Sequence, residues 1–316
     1  MALLASWTNN ETGGRRRRAP LPALAAAAAL TLAALAGTPA AGAEPGNPKA
    51  DKTAPTVTTP APPRAAGALR MIFPRSLIAN GLAARLAAGF RKGHKVEVTI
   101  LPRKTGLGFE ALLAGTAELA VTDDIAAERR FVAAKHGITR HNVMYTEMLI
   151  VGPKADPADI NGMISVIEAF KALAASSSTF LGRGDGSGVA LSERRYWREA
   201  GLKPDAETDR WYSTTRSDMR TTLLRAAKAN AYTLTDRGTW LSLPSTVELG
   251  ELVADDPRLQ LRYGVVVVNP KGRKGLNVTA AAAFATWLTG KEAQALIESF
   301  KIGDETPYIP ESGLQR

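Results

Sequence analysis

Ser177-Ser178-Thr179-Phe180-Leu181, then Gly182-Arg183-Gly184-Asp185-Gly186-Ser187-Gly188, then Val189 to Ala200 is the stretch on which the reading of this chain turns. The first segment reads as a short buried strand and the last as a helix. A glycine-rich turn between them leaves backbone N–H groups unpaired at the helix N-terminus. With the positive end of the helix dipole, those donors suit an anion. Ser187 can add a hydroxyl and Arg183 a charged fork of donors. The same residues also suit a plain strand–helix turn with Asp185 or Ser187 as N-cap. Nothing else supports an adhesion reading of Arg-Gly-Asp.

Working outward, strand and helix patterns alternate. Leu69–Phe73 reads as a strand, Pro74-Arg75-Ser76 as a turn, and residues 81–90 as a helix with Leu82, Leu86 and Phe90 on one side. Residues 95–101 read as a second strand. Thr105-Gly106-Leu107-Gly108 reads as a glycine turn before a helix over 109–113, and residues 115–121 run into a third strand. This β-α-β-α-β order predicts a parallel sheet. A helix over 126–136 and an extended stretch over 142–153 lead to a second α/β unit. It has helices over 164–175, 189–200 and 219–230, and strands at 179–181, near Trp211 and at 231–234. Asp236 to Trp240 begins a turn and short helix. Val265–Val268 is a buried strand, and two helical stretches, 280–288 and 292–300, close the chain. Two α/β units joined by extended crossings near 146–152 and 263–269 predict a two-lobed binding protein with its ligand in the cleft.

The chain has 316 residues, of which 45% are hydrophobic, and no cysteine. That excludes disulfides, cysteine-ligated zinc, a cysteine nucleophile and a lipid anchor on cysteine. The formal charge is +10, from 40 basic and 30 acidic residues. Residues 1–43 hold Arg15 to Arg18 and Glu11, which leaves 36 basic and 29 acidic residues, or +7, on the rest. The excess favours anionic partners. The basic residues are scattered, with no basic helix and interleaved aromatics, so nucleic acid is not expected. Residues 1–43 read as an export signal: the arginine run, an Ala/Leu segment from Leu21 to Gly37, and Ala41-Gly42-Ala43 as cleavage site. An uncleaved anchor is the alternative. Residues 44–68, rich in Pro, Ala and Thr, read as a linker.

One segment is specific enough to point to a family. Asn230 to Trp240 resembles the signature of the periplasmic tungstate-binding proteins of ABC importers. Arg183 to Gly188 with Glu193 is similar to that family's Arg-Gly-Asp-x-Ser-Gly stretch. Val143 to Tyr145, Ile150 to Pro153, Trp211-Tyr212, Met219, Tyr263-Gly264 and Pro307 to Pro310 also match. The resemblance covers Leu69 to Pro310. It implies an α/β, type II periplasmic-binding-protein fold, with lobe 1 over 69–148 and 266–316 and lobe 2 over 149–265. It also implies a monomer that captures tungstate or molybdate between its lobes, without metal or cofactor, and delivers it to an ABC permease of the inner membrane.

Several positions depart from that pattern. Phe73-Pro74-Arg75-Ser76 keeps only the serine of a Thr-Thr-Thr-Ser run. Lys104-Thr105-Gly106 keeps part of a Gly-Thr-Gly turn. Val189 stands where a hydroxyl is expected, and Arg216-Ser217-Asp218-Met219 where a Gly-x-Gly-Met turn is expected. Arg75, Lys104 and Arg216 are new cations in or near the same loops; Asp218 and the pair Asp123-Asp124 add negative charge. The site is therefore expected to retain its oxyanion, to take another such as phosphate, sulfate or an organic acid, or to have been lost in an interaction protein. The expected ligand residues are Ser76, Thr105, Arg183, Ser187 and Gly188, with Arg75, Arg216 and Arg237 as further candidates. Asp236 and Arg237 also suit a structural role, pairing with backbone to hold the turn. His94, His136 and His141 have no metal-ligand spacing, and no Gly-x-Ser-x-Gly elbow or phosphate loop with Gly-Lys-Ser/Thr is present, so an enzyme is not expected.

Overall fold

The computed structural model describes residues 67–103 and 105–311, all within one compact unit, Thr59–Arg316. The expected export signal and nearly all of the linker lie outside the described residues.

The chain opens with β1 (Leu69–Phe73), α1 (Arg75–Ala79), α2 (Leu82–Gly93), β2 (Val98–Pro102), α3 (Thr105–Leu113), β3 (Leu119–Thr122) and α4 (Ile125–Ala133). β1 lies between β2 and β3 and is parallel to both. The second turn of the sequence reading is helical: α3 starts at Thr105. Gly108 lets it approach β1, since a Cβ there would come within 3.3 Å of Ile72 Cγ2. The first turn is also helical, as α1. Pro74 stands at its N-cap, where a residue without an N–H loses no helical bond.

β4 (Gly137–Gly152) is the longest strand, and it organises the fold. α5 (Val166–Ser176), β5 (Phe180–Gly182), α6 (Gly188–Glu199), β6 (Tyr212–Thr214), α7 (Met219–Lys228), β7 (Thr233–Asp236), α8 (Arg237–Leu241) and β8 (Gly250–Val253) follow. β9 (Gln260–Val268), α9 (Val278–Leu288), α10 (Lys291–Glu298) and β10 (Tyr308–Pro310) complete the chain. The first half of β4 pairs with β9 as far as Glu147–Gln260; from Met148 onward it pairs with β7 and β8 instead. One strand thus passes between two strand groups, as the reading of 142–153 expects. The return does not lie at 263–269. β9 is already paired with β4 at Gln260 and with β3 from Gly264, so the chain crosses back between β8 and β9. Residues 260–265 therefore pair with strands of the first group.

Val265 to Val268 are fully buried or nearly so, because β9 is flanked by strands and covered on both faces. Under the 182–188 turn, Phe170, Phe180 and Trp197 pack at ring-centroid distances of 4.3 to 5.6 Å. Each such aromatic pair is worth roughly 0.5–1.5 kcal/mol beyond its buried area. α7 stops at Lys228 rather than Asn230, which takes a left-handed φ of 47°.

Candidate functional site

The 182–188 turn is held from below and shaped by its glycines. Gly184 (φ 62°) and Gly186 (φ 75°) occupy the left-handed region, which favours residues without a Cβ. Gly182 has no room for a side chain: a Cβ would meet Glu193 Oε1 at 2.5 Å. Glu193, fully buried, accepts the Tyr212 hydroxyl at 2.7 Å and the Arg183 backbone N–H. Burial pushes its carboxyl up to about 6, against the pull of those donors. Ser187 is the N-cap of α6 and accepts from the Ala190 N–H at 3.4 Å.

Above the turn lies a cavity of about 280 Å³. One wall comes from the first strand group: Arg75 and Ser76 of α1, Arg103 after β2, and Asp123 after β3. The other comes from Arg183, Asp185 and Ser187, with Asp218 to Arg220 at the start of α7 and Thr239 of α8. The N-termini of α6 and α7 both open on it, so partial positive charge adds to four guanidinium groups. Three carboxylates face them: Asp123, Asp185 and Asp218.

Arg183 donates through Nη2 to Asp185 Oδ2 at 2.6 Å, with its side chain only 11% exposed. Its Nε–H is buried and has no hydrogen-bond partner among the described residues. A buried charged donor left unpaired is costly, on the order of 1–3 kcal/mol or more. Burial raises the Asp185 carboxyl, but Arg183 and the Ser187 hydroxyl and amide outweigh it and hold the group below the usual carboxylate range. The Thr221 amide holds Asp218 low against burial, with the charges of Arg183 and Arg75 adding to it.

A family model described as a PBP superfamily domain matches residues 75–292. This chain belongs to the PBP superfamily. Its architecture is the mixed α/β periplasmic-binding-protein fold. A tungstate-binding protein TupA of Peptoclostridium acidaminophilum is 31% identical over 75% of this chain and 82% of its own. Among solved structures, a tungstate-binding protein TupA of Desulfovibrio alaskensis G20 is 31% identical, with a TM-score of 0.69, over 78% of this chain and 100% of that one. A tungstate ABC transporter structure from Geobacter sulfurreducens is 32% identical, with a TM-score of 0.66, over 77% and 100%.

In this PBP-superfamily chain Arg183, Ser187, Ser76 and Arg75 line one cavity. Gly188 lies against it as the first residue of α6, so close to the opposite wall that a Cβ would fall 2.6 Å from both Asp123 O and Asp123 Cγ. Lys104 and the side chain of Thr105 lie outside the described residues. Arg216 is placed elsewhere: it is exposed, has a left-handed φ of 52°, and its N–H donates to Arg183 O at 2.7 Å. It supports the neighbouring backbone and does not line the cavity.

Arg237 is also outside the lining. It pairs with Glu147 at 2.5 Å, Glu251 at 2.9 Å and Glu305 at 3.7 Å, so its partners are carboxylates rather than backbone. Asp236, by contrast, caps α8 by accepting the Thr239 N–H at 2.8 Å. Val189, where a hydroxyl was expected, is buried in the core. Sequence reasoning missed Arg103 and Arg220. The first follows β2 directly, and the second is one residue into α7, so strand ends and helix starts were the available signal.

Proposed function

We propose that this chain is the solute-binding component of an ABC-type importer and captures a tetrahedral oxyanion, the class of tungstate and molybdate, in the 280 Å³ cavity. The observation that carries this reading is Arg183. Its side chain lines a cavity where two helix N-termini and three further arginines gather, and its buried Nε–H has no hydrogen-bond partner among the described residues. An anion accepting from Nε, from Ser187 and from the α6 amides satisfies that donor. The names of relatives at 31–32% identity support the same class. Delivery to a permease, export to the periplasm and a monomeric state belong to this proposal, as does a division into two lobes about β4 and the β8–β9 return.

The test is thermal unfolding with tungstate, molybdate, sulfate, phosphate and carboxylates. Binding to the folded state alone adds RT ln(1 + [L]/Kd), about 4 kcal/mol at a thousandfold excess over Kd. A shift that vanishes in Arg183→Ala supports the site. No shift with any anion removes it.

A further inference from the structure

Beneath the 182–188 turn sits a titratable group that is not part of the cavity lining. Glu193 of α6 is 2% exposed. It accepts the Tyr212 hydroxyl of β6 at 2.7 Å, and the Arg183 backbone N–H is bonded to the same carboxyl. The Trp197 indole N–H of α6 is buried and meets no partner at normal hydrogen-bond geometry; from nearby it favours the ionised carboxyl, as does the charge of Arg194. From β5, Gly182 leaves the carboxyl room, since a Cβ there would fall 2.5 Å from Oε1. Phe170 of α5 and Phe180 of β5 pack on Trp197 and keep the surroundings apolar. Burial outweighs the donors and lifts the carboxyl to about 6.

Arg183 connects this group to the cavity. Its amide is held by Glu193 while its side chain lines the cavity wall. Glu193 also lies six residues beyond Ser187 on α6, about 9 Å along the axis at 1.5 Å per residue. Through a low-dielectric core, an anion in the cavity repels the Glu193 carboxylate and leaves the neutral acid unaffected. Linkage makes the effect reciprocal: a proton on Glu193 tightens the hold on the anion by the factor with which the anion tightens the hold on the proton. Resting on the anion-binding reading above, we propose that capture of an oxyanion in the cavity is coupled to uptake of a proton from solvent by the buried Glu193 carboxyl. The bound anion raises Glu193 further, so affinity climbs as pH falls through about 7 and levels off below about 6. Asp236 of β7 is also buried with a raised carboxyl, but it is committed to α8, accepting the Thr239 N–H at 2.8 Å and the Thr239 hydroxyl at 2.7 Å. Asp185 and Asp218 are held low and stay ionised throughout this range.

The experiment is calorimetric titration of the purified chain with sodium molybdate between about pH 5.5 and pH 8.5, repeated near pH 6 in buffers of different ionisation heat to count protons. Wild type should bind about tenfold more tightly at the acid end than at the alkaline end, the change for one pKa unit of coupling, and should take up about 0.4 proton near pH 6. Glu193→Gln, a neutral side chain of the same shape, should keep the tight low-pH affinity across the range and take up no proton. His94, His136 and His141 remain in that variant, so a slope carried by them would persist there and overturn the proposal. Tyr212→Phe removes a donor to the ionised form and should move the affinity step to higher pH; an unmoved step would count against the coupling. A flat wild-type profile, or release of protons on binding, would overturn the coupling while leaving anion binding intact. Absence of molybdate binding at every pH would overturn the proposal together with the reading it rests on.

Discussion

Tyr212 donates its phenolic hydrogen to Glu193 at 2.7 Å directly beneath the turn that carries Arg183. The pair ties α6 to β6 and fixes the Arg183 backbone, whose N–H also points at Glu193. Burial raises the Glu193 carboxyl to about 6 from an ordinary 4.5. A raised folded-state value means that the neutral form is favoured in the fold. The associated stability is full below about pH 4.5 and is lost as pH rises through about 6. It amounts to about 2 kcal/mol. Glu193→Gln, compared with wild type by urea unfolding, should gain stability relative to it by about that amount across this window. Parallel stability curves would sink the assignment.

Arg183 is the residue through which the site is tested. Arg183→Ala should lower oxyanion affinity by at least about tenfold to a hundredfold, from loss of a charged hydrogen bond. Arg183→Lys keeps the charge without the planar fork and should recover only part of it. Titration calorimetry reads both. An alanine variant that binds as tightly as wild type would move the site elsewhere.

Arg237 lies in an ion cluster that links α8 to β4 and β8, where β4 changes partners. Arg237→Ala should cost about 1–2 kcal/mol, since the pairs are partly exposed yet form a network. Its anion affinity should equal that of wild type. A large affinity loss at unchanged stability would instead return Arg237 to the ligand.

Gly188 is required by close approach. A methyl group there would meet Asp123 O and Asp123 Cγ at 2.6 Å, and the backbone carbonyl has little freedom to give way. Gly188→Ala should therefore destabilise the protein by about 1–3 kcal/mol, the usual range for overpacking, and weaken anion binding as the two walls part. Unfolding and titration on the same sample check both. Full stability with full affinity would show that the walls separate freely.

Much of this was legible from local pattern. β1 spans Leu69–Phe73 as its apolar residues, interrupted only by Arg70, predict, and α6 and β5 fall within a residue of the ends expected from 189–200 and 179–181. Glycine spacing and the Ser187 cap mark the 182–188 turn because both act within a few residues. β8 and β10 were missed: each has only three or four residues and is a strand because β4 offers it partners. α1 was missed because five residues after a proline carry no periodicity.

The sequence by itself determined the fold class, the family resemblance and the turn at 182–188, since each rests on residue order and short-range backbone preference. Tertiary structure alone decided which charges share the cavity. Arg103 and Asp123 directly follow different strands of the first group, Arg220 lies in the first turn of a helix of the second, and only the tertiary fold brings them together. It also placed Arg237 outside the cavity lining, where three glutamates distant in sequence converge on that guanidinium. Charge acts through space over a few ångströms, and separation along the chain does not report that distance.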